Sequence, residues 1–135
     1  MFDILVVEDD AKLNQIYCSA LRNNSFNAVP AFDGEEALNI MTEKNFDLVI
    51  SDIMMPGVDG YELTRELREY YPELPILMIS AKEDFEDKRH GFLAGIDDYM
   101  VKPVDLNEML LRIHALLRRA KIVSERKLTI GNTVL

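Results

Sequence analysis

Charged and hydroxyl side chains stand at the ends of several short apolar runs in this chain of 135 residues. Acids follow the first and third runs, a hydroxyl ends the fourth and an ammonium follows the fifth, at Glu8, Asp9, Asp10, Asp52, Ser80 and Lys102. Carboxylates held together repel one another unless a cation neutralises them, and Mg²⁺ takes oxygen ligands. A carboxylate beside Mg²⁺ can also act as a nucleophile towards phosphate. These residue types predict Mg²⁺-assisted phosphoryl chemistry, provided that the fold brings them together.

The pattern of apolar residues predicts five strands alternating with five helices. The apolar runs at 3–7, 28–32, 46–51, 75–80 and 98–101 predict strands. Three- and four-residue spacing predicts a helix from Asp10 to about residue 22, followed by helices at 33–45, 60–71, 83–95 and 105–121. Asp33 and Asp105 are expected to cap their helices, Gly95 to end the fourth, and Pro30 to mark an edge strand.

The predicted strands are nearly continuous apolar runs, which is typical of strands covered on both faces. An α/β fold with a parallel sheet and helices on each side is therefore expected. The carboxyl ends of parallel strands meet along one edge of such a sheet, where ligands bind in open α/β folds. The polar residues named above are predicted to meet there.

Composition limits the class of protein. The chain is 48% hydrophobic and 29% charged, which is ordinary for one soluble domain. Its net charge of −9 disfavours nucleic-acid binding by the body of the domain, and the basic stretch at 118–127 is interpreted as a helix end and linker. One cysteine, no signal peptide and no membrane-length apolar run predict a cytoplasmic location without a membrane partner.

Four motifs carry a resemblance to a known family: "VVEDD" at 6–10, "SDIMMPGVDG" at 51–60, "MISA" at 78–81 and "YMVKP" at 99–103. In this order and spacing the sequence resembles the receiver domain of a two-component response regulator, over residues 3–120. The resemblance implies a flavodoxin-like (CheY-like), doubly wound (βα)5 sheet of strand order 2-1-3-4-5. It also implies a switch in a phosphorelay rather than a turnover enzyme, with self-phosphorylation and slow autodephosphorylation.

The resemblance assigns the metal site and the phosphorylation site. Asp52 would accept a phosphoryl group from a sensor histidine kinase. Asp9, Asp52 and the backbone carbonyl of Met54 would bind Mg²⁺, and Glu8 would assist through a water molecule. Lys102 would bind the phosphoryl oxygens, preceding a cis peptide bond.

Two further residues are implied as the switch. Ser80 would turn inward on phosphorylation and Tyr99 would follow it, although the residues alone suggest a half-buried strand aromatic at Tyr99. Met54 and Lys82 would flank the access route of the phosphate and affect its hydrolysis.

A further resemblance, to the OmpR/PhoB subfamily, implies a homodimer through the fourth helix, fifth strand and fifth helix. Charged residues of these elements would pair across a two-fold axis, as Lys88–Glu108, Asp98–Arg112 and Asp97–Arg119. Residues 1–121 would form the receiver domain. Residues 122–135, with "LTIGNTVL" at 128–135, would be a linker and the first strand of a truncated C-terminal winged-helix domain. Binding of DNA would occur only through that domain, in a transcription factor.

Other readings remain open at this point. A stand-alone receiver that acts by docking to another protein shares every motif. A phosphatase with an aspartate nucleophile would need a second aspartate two residues after Asp52, where Met54 stands. A dinucleotide-binding domain would need G-x-G-x-x-G after the first strand, where the sequence is "VVEDDAKL".

Overall fold

The structure is a computed structural model that describes residues 1–55, 57–81 and 85–134, with side chains described for 1–55, 57–81 and 89–121. Over these residues strands alternate with helices along the chain. The elements are β1 (Asp3–Val7), α1 (Ala11–Asn23), β2 (Asn27–Ala31), α2 (Gly34–Glu43), β3 (Leu48–Asp52), α3 (Gly60–Tyr70), β4 (Ile76–Ser80), α4 (Phe85–Ala94), β5 (Asp98–Val101) and α5 (Leu106–Val134). The predicted strands and first four helices are confirmed to within about two residues at each end.

The strands form one parallel sheet of order β2-β1-β3-β4-β5, which confirms the predicted fold class. Pro30 lies in β2 at an edge, where its missing N–H costs no hydrogen bond between strands on the open side. Side chains of a strand alternate between the two faces of the sheet. Leu5 and Val7 of β1 accordingly lie in one apolar cluster, and Ile4 and Val6 in the other.

The helices cover both faces. Buried residues of α2 and α3, such as Met41 and Leu67, join the first cluster, and buried residues of α1 and α5, such as Leu21 and Ile113, join the second. Burial on both sides explains why the strands are almost wholly apolar until their last residues.

The helix termini follow the predicted signals. Asp33 accepts a hydrogen bond from the backbone N–H of Glu36, and Asp105 accepts from those of Asn107 and Glu108. Gly95 follows α4 with φ of +115°, a conformation that residues with a side chain rarely adopt. The starts of α2 and α5 and the end of α4 therefore lie where the sequence predicts a change of backbone.

The C-terminal segment differs from its prediction. The sequence predicts a helix that ends at 121 and a strand at 128–135, whereas α5 continues to Val134 and Leu135 lies outside the described residues. A strand needs a neighbouring strand for its hydrogen bonds, while a helix forms them within the segment. The assignment of residues 122–135 to a second domain stays a prediction. Within the described ranges, no helix combines the length and hydropathy needed to cross a membrane.

Candidate functional site

The carboxyl edge of the sheet holds the polar residues that the sequence places at strand ends. Asp52 is the last residue of β3 and Ser80 the last of β4, and both side chains are buried. Glu8 directly follows β1 and is also buried, while its backbone N–H donates to the carbonyl of Ala31 at 3.0 Å. Lys102 directly follows β5. The parallel register thus brings together residues up to 94 positions apart.

One ammonium joins two of the buried acids. Lys102 Nζ donates to Glu8 Oε1 at 2.8 Å and to Asp52 Oδ2 at 3.2 Å. Carboxylate oxygens of Glu8, Asp9 and Asp52 all lie within 4.8 Å of one another. Among the residues that the structure describes, these three carboxylates therefore share one cation, which leaves an excess of negative charge within that set.

The electrostatics of this cluster follow from the crowding of its acids. Partial loss of hydration raises the pKa of the Asp9 carboxyl even though the residue is exposed, and a hydrogen bond with Glu8 and the charge of Glu8 raise it further. Burial acts to lower the pKa of Lys102, but its hydrogen bond to Glu8 and the charge of Asp52 outweigh burial and raise that pKa. The cluster therefore favours any additional positive charge.

The donor set fits a hard divalent cation. Its potential ligands are oxygens, its negative charge exceeds the charge of Lys102, and Asp9 is exposed, so that a hydrated ion can reach it. Mg²⁺ usually keeps several water ligands and binds one or two carboxylates directly, so part of this cluster of three acids would contact the ion through water. Receiver domains bind Mg²⁺ at an acidic cluster of this kind.

The start of α3 lies close to the end of β3 because the first residue of α3 is Gly60. The N–H of Gly60 donates to the carbonyl of Ile53 at 2.9 Å, and a Cβ at Gly60 would lie 2.5 Å from the carbonyl oxygen of Asp52. Only glycine allows α3 to start this near the end of β3. Pro56, which stands in the motif at 51–60, and Lys82, which is predicted to flank the access route of the phosphate, lie outside the described residues.

Asn14 holds the backbone at the ends of β1 and β2 next to the site, and the sequence patterns did not identify it. Its fully buried amide Nδ2 donates to the carbonyls of Val6, Glu8 and Ala31 at 3.0 to 3.2 Å. Cys18 Sγ lies 3.2 Å from Asn14 Oδ1 and donates to it. The signal in the sequence is a polar residue within the apolar stripe of α1, which implies a buried partner.

The predicted switch residues lie on the neighbouring strands. Ser80 is fully buried, and its carbonyl accepts from the N–H of Lys102 at 2.7 Å. Tyr99 of β5 pairs in register with Met78 and is 7% exposed, so it is more deeply buried than its residue type suggests. The peptide bond between Lys102 and Pro103 is cis, as predicted.

Four of the six residues predicted for a dimer interface have partners within the chain. Arg112 donates to both oxygens of Asp98 at 2.8 and 2.9 Å and also to Glu108. Asp97 accepts from Arg68 of α3 at 2.6 Å. Arg119 is exposed, and the side chain of Lys88 lies outside the described residues. Pairing between two copies of the chain stays a prediction.

Comparison with known proteins places these features in a family. Residues 4–114 match the model of the response regulator receiver domain. The chain is 41% identical over 135 residues to the heme response regulator HssR of Staphylococcus epidermidis and 37% identical to that of Staphylococcus aureus. It is covered completely in both alignments and spans 60% of the length of each relative.

A solved structure agrees in fold. The Francisella response regulator 1452 receiver domain is 34% identical, with a TM-score of 0.84 over 88% of this chain and 98% of that one. The range 4–114, which matches the model of the receiver domain, includes the acidic cluster, Ser80 and Lys102. The chain belongs to the response regulator receiver domain family.

Proposed function

We propose that Asp52 accepts a phosphoryl group from the phosphohistidine of a sensor kinase, and that this modification activates a transcription regulator. The observation that carries the proposal is the cluster of three carboxylates around the ammonium of Lys102 at the carboxyl edge. Bound Mg²⁺ would supply positive charge to the phosphoryl oxygens. Asp9, Asp52 and the backbone carbonyl of Met54 would hold it, with Glu8 acting through a water molecule.

Asp52 and Lys102 have different roles in the phosphoryl transfer. A carboxylate oxygen of Asp52 attacks phosphorus, the bond from phosphorus to the histidine nitrogen breaks, and its electron pair stays on the imidazole. Lys102 already lies within hydrogen-bond distance of Asp52, so it can follow the developing charge onto the phosphoryl oxygens. Slow hydrolysis of the phosphoaspartate would reset the switch, with Met54 and Lys82 influencing its rate.

The kinase would approach from the side of α1. Beside Lys102 lies an apolar hollow of about 500 Å³, lined in part by Leu13, Ile16 and Leu106. Ile16 is half exposed and lies in this hollow, so it offers apolar surface to a partner. A helical partner docked there would lie next to Asp52.

Phosphorylation would change the packing of α4, β5 and α5. The added charge is about −1.5 to −2 and requires a local response, for which the Ser80 hydroxyl is the nearest candidate on β4. Tyr99 would follow Ser80 and shift an equilibrium between two packings of these elements.

The changed face would then form a homodimer. Exposed apolar residues on α4 and α5, namely Phe92, Leu93 and Leu111, support an interface there. The charged residues of this interface would be Lys88, Asp97, Asp98, Glu108, Arg112 and Arg119.

The curated relatives are longer than this chain. DNA binding would belong to a C-terminal domain that begins within 122–135. The cytoplasmic location expected from the sequence stays a prediction.

Phosphorylation can be tested with the isolated chain. Incubation with Mg²⁺ and acetyl phosphate should add one phosphoryl group, seen by intact mass, and Asp52→Asn should remove it. Chelation of Mg²⁺ in the wild-type chain should remove it as well. A phosphoryl adduct that persists in Asp52→Asn would show that another residue is the acceptor.

Dimerisation needs a separate experiment. Sedimentation velocity with Mg²⁺ and beryllofluoride, which mimics the phosphoryl group, should show a dimer at micromolar concentration and a monomer without the mimic. A monomer under both conditions would contradict the proposed dimer without affecting phosphorylation.

A further inference from the structure

Arg68 on α3 binds an unusual number of acceptors for a residue outside the candidate site. Its Nε donates to the carbonyl of Gly95 at 2.7 Å, and its Nη1 donates to the carbonyls of Tyr71 and Leu74. Its Nη2 donates to Asp97 Oδ2 at 2.6 Å. Arg68 therefore connects the end of α3, the start of β4 and the loop between α4 and β5.

Within the described part of the chain, the hydrogen bonds to Asp97 end on one of its two carboxylate oxygens. Oδ2 accepts from Arg68 and from the backbone N–H of Ile76, at 2.6 and 2.8 Å. The side chain remains 37% exposed. Since a carboxylate has about four acceptor positions, Oδ1 retains capacity for another donor while Oδ2 is held in place.

The backbone next to Asp97 is shaped around the same arginine. A Cβ at Gly95 would lie 2.8 Å from Cγ of Arg68 and 3.1 Å from its Nε, and Gly95 has φ of +115°. The arginine side chain thus lies directly against the loop that leads to Asp97. Arg68 fixes both the path of this loop and the carboxylate that the loop presents.

We propose that Arg68 is a positioning residue for the dimer interface, which holds Asp97 so that Oδ1 receives Arg119 of a second copy. This inference rests on the dimer proposed above. Arg68 lies outside the predicted set of interface residues, and the inference gives it a role in orienting one of them. Orienting Asp97 before association removes part of the entropy cost of ordering it in the dimer.

A competing role for Arg68 predicts the opposite effect. If the charge of Arg68 merely neutralised Asp97, it would weaken the attraction to Arg119, and its removal would strengthen the dimer. The geometry favours positioning, because Arg68 occupies only Oδ2 and because most of its donors bind backbone carbonyls rather than the carboxylate.

The test compares dimer dissociation constants of the beryllofluoride-bound chain, measured by sedimentation, for three variants. Arg68→Met should weaken the dimer about tenfold, within the usual range for residues of one ion-pair network. Arg68→Lys should also weaken it, because lysine keeps the charge but lacks the planar fork that reaches several acceptors. Arg65→Met is the control, since Arg65 lies on the same helix, is exposed, and contacts His90 instead.

A double-mutant cycle separates positioning from a general loss of structure. In an Arg119→Met background, Arg68→Met should cause no further weakening, because the contact that it prepares is already absent. Additive losses would overturn the proposal, as would an unchanged or tighter dimer in Arg68→Met alone. Phosphoryl adduct formation should be normal in every variant, which confirms an intact acceptor site.

A variant that does not fold and a wild-type chain that does not dimerise each have a defined consequence. If Arg68→Met does not fold, Arg68→Gln, which keeps amide donors without the charge, takes its place with the same expected direction. If the wild-type chain forms no dimer, the proposed dimer fails and this inference fails with it. A wild-type dimer that does not respond to changes at Arg68 overturns this inference alone.

Discussion

Two regions of the molecule use the same residue types in opposite ways. The acidic edge consists of Glu8, Asp9, Asp52 and Lys102, and the paired face consists of Arg68, Asp97, Asp98, Glu108 and Arg112. In the acidic edge three carboxylates share one cation, and two of the acids are buried, with side chains of Glu8 and Asp52 only 3% and 6% exposed. In the paired face three carboxylates meet two arginines, and the carboxylate side chains are 26% to 51% exposed.

The difference shows how charge balance and burial separate a reactive site from an exchangeable surface. Buried negative charge without enough cations is costly, so the acidic edge gains stability from an added cation. Exposed ion pairs contribute little and can exchange partners at low cost. The acidic edge suits metal-assisted chemistry, and the paired face suits an interface that associates and dissociates reversibly.

The largest expected effect comes from removing the cation of the acidic edge. Lys102→Met leaves Glu8 and Asp52 buried together without their partner and should lower the free energy of unfolding by about 3 kcal/mol. Urea unfolding without Mg²⁺ measures this loss, and Mg²⁺ should restore part of it. A variant as stable as the wild type would show that the charges of the edge are not coupled. Phosphorylation by acetyl phosphate should also slow by about 10²-fold.

A somewhat smaller effect is expected below the acidic edge. Asn14→Leu removes the buried amide donor that contacts three backbone carbonyls and should cost about 2 kcal/mol. Cys18→Ala is the matched control, because it removes only the thiol that contacts Asn14 Oδ1 and should cost about half as much. Equal losses in the two variants would mean that the amide donors contribute nothing beyond packing.

Removing one acid should stabilise the metal-free edge. Asp9 has a raised pKa, so its ionisation opposes folding, and its contribution to stability is greatest below pH 3.8 and declines as pH rises through its folded pKa. At neutral pH Asp9→Asn should raise the metal-free stability by about 0.5–1 kcal/mol, a common size for a change at a functional site. The gain in melting temperature from Mg²⁺ should disappear. A loss of stability in Asp9→Asn would contradict the excess of negative charge.

The smallest effect is expected at the paired face, for a substitution that matches the first one. Arg112→Met also replaces a cation that contacts two acids, but these pairs are more exposed than those of Lys102 and the loss should be under about 1 kcal/mol. Added salt should reduce the difference from the wild type further, since exposed pairs are screened. A loss as large as that of Lys102→Met would remove the distinction between the two regions.

Much of the fold could be predicted from local patterns. Apolar runs located β1 to β5, Asp33 and Asp105 marked helix starts, and Gly95 marked a helix end. The same reasoning failed at 128–134, where a strand-like alternation lies in α5. Alternation indicates a strand only where another strand is available to pair with it.

The amino-acid sequence alone determined which residues stand at the strand ends, because each apolar run stops at a polar residue. The parallel connections of the predicted fold then bring those ends to one edge. The tertiary structure decided which cation each acid meets. Lys102 and Glu8 are 94 positions apart, and Arg68 and Asp97 are 29 apart, so that no local spacing relates them. Their distances depend on how helices and loops pack around the sheet, and the charge balance of each region follows from that packing.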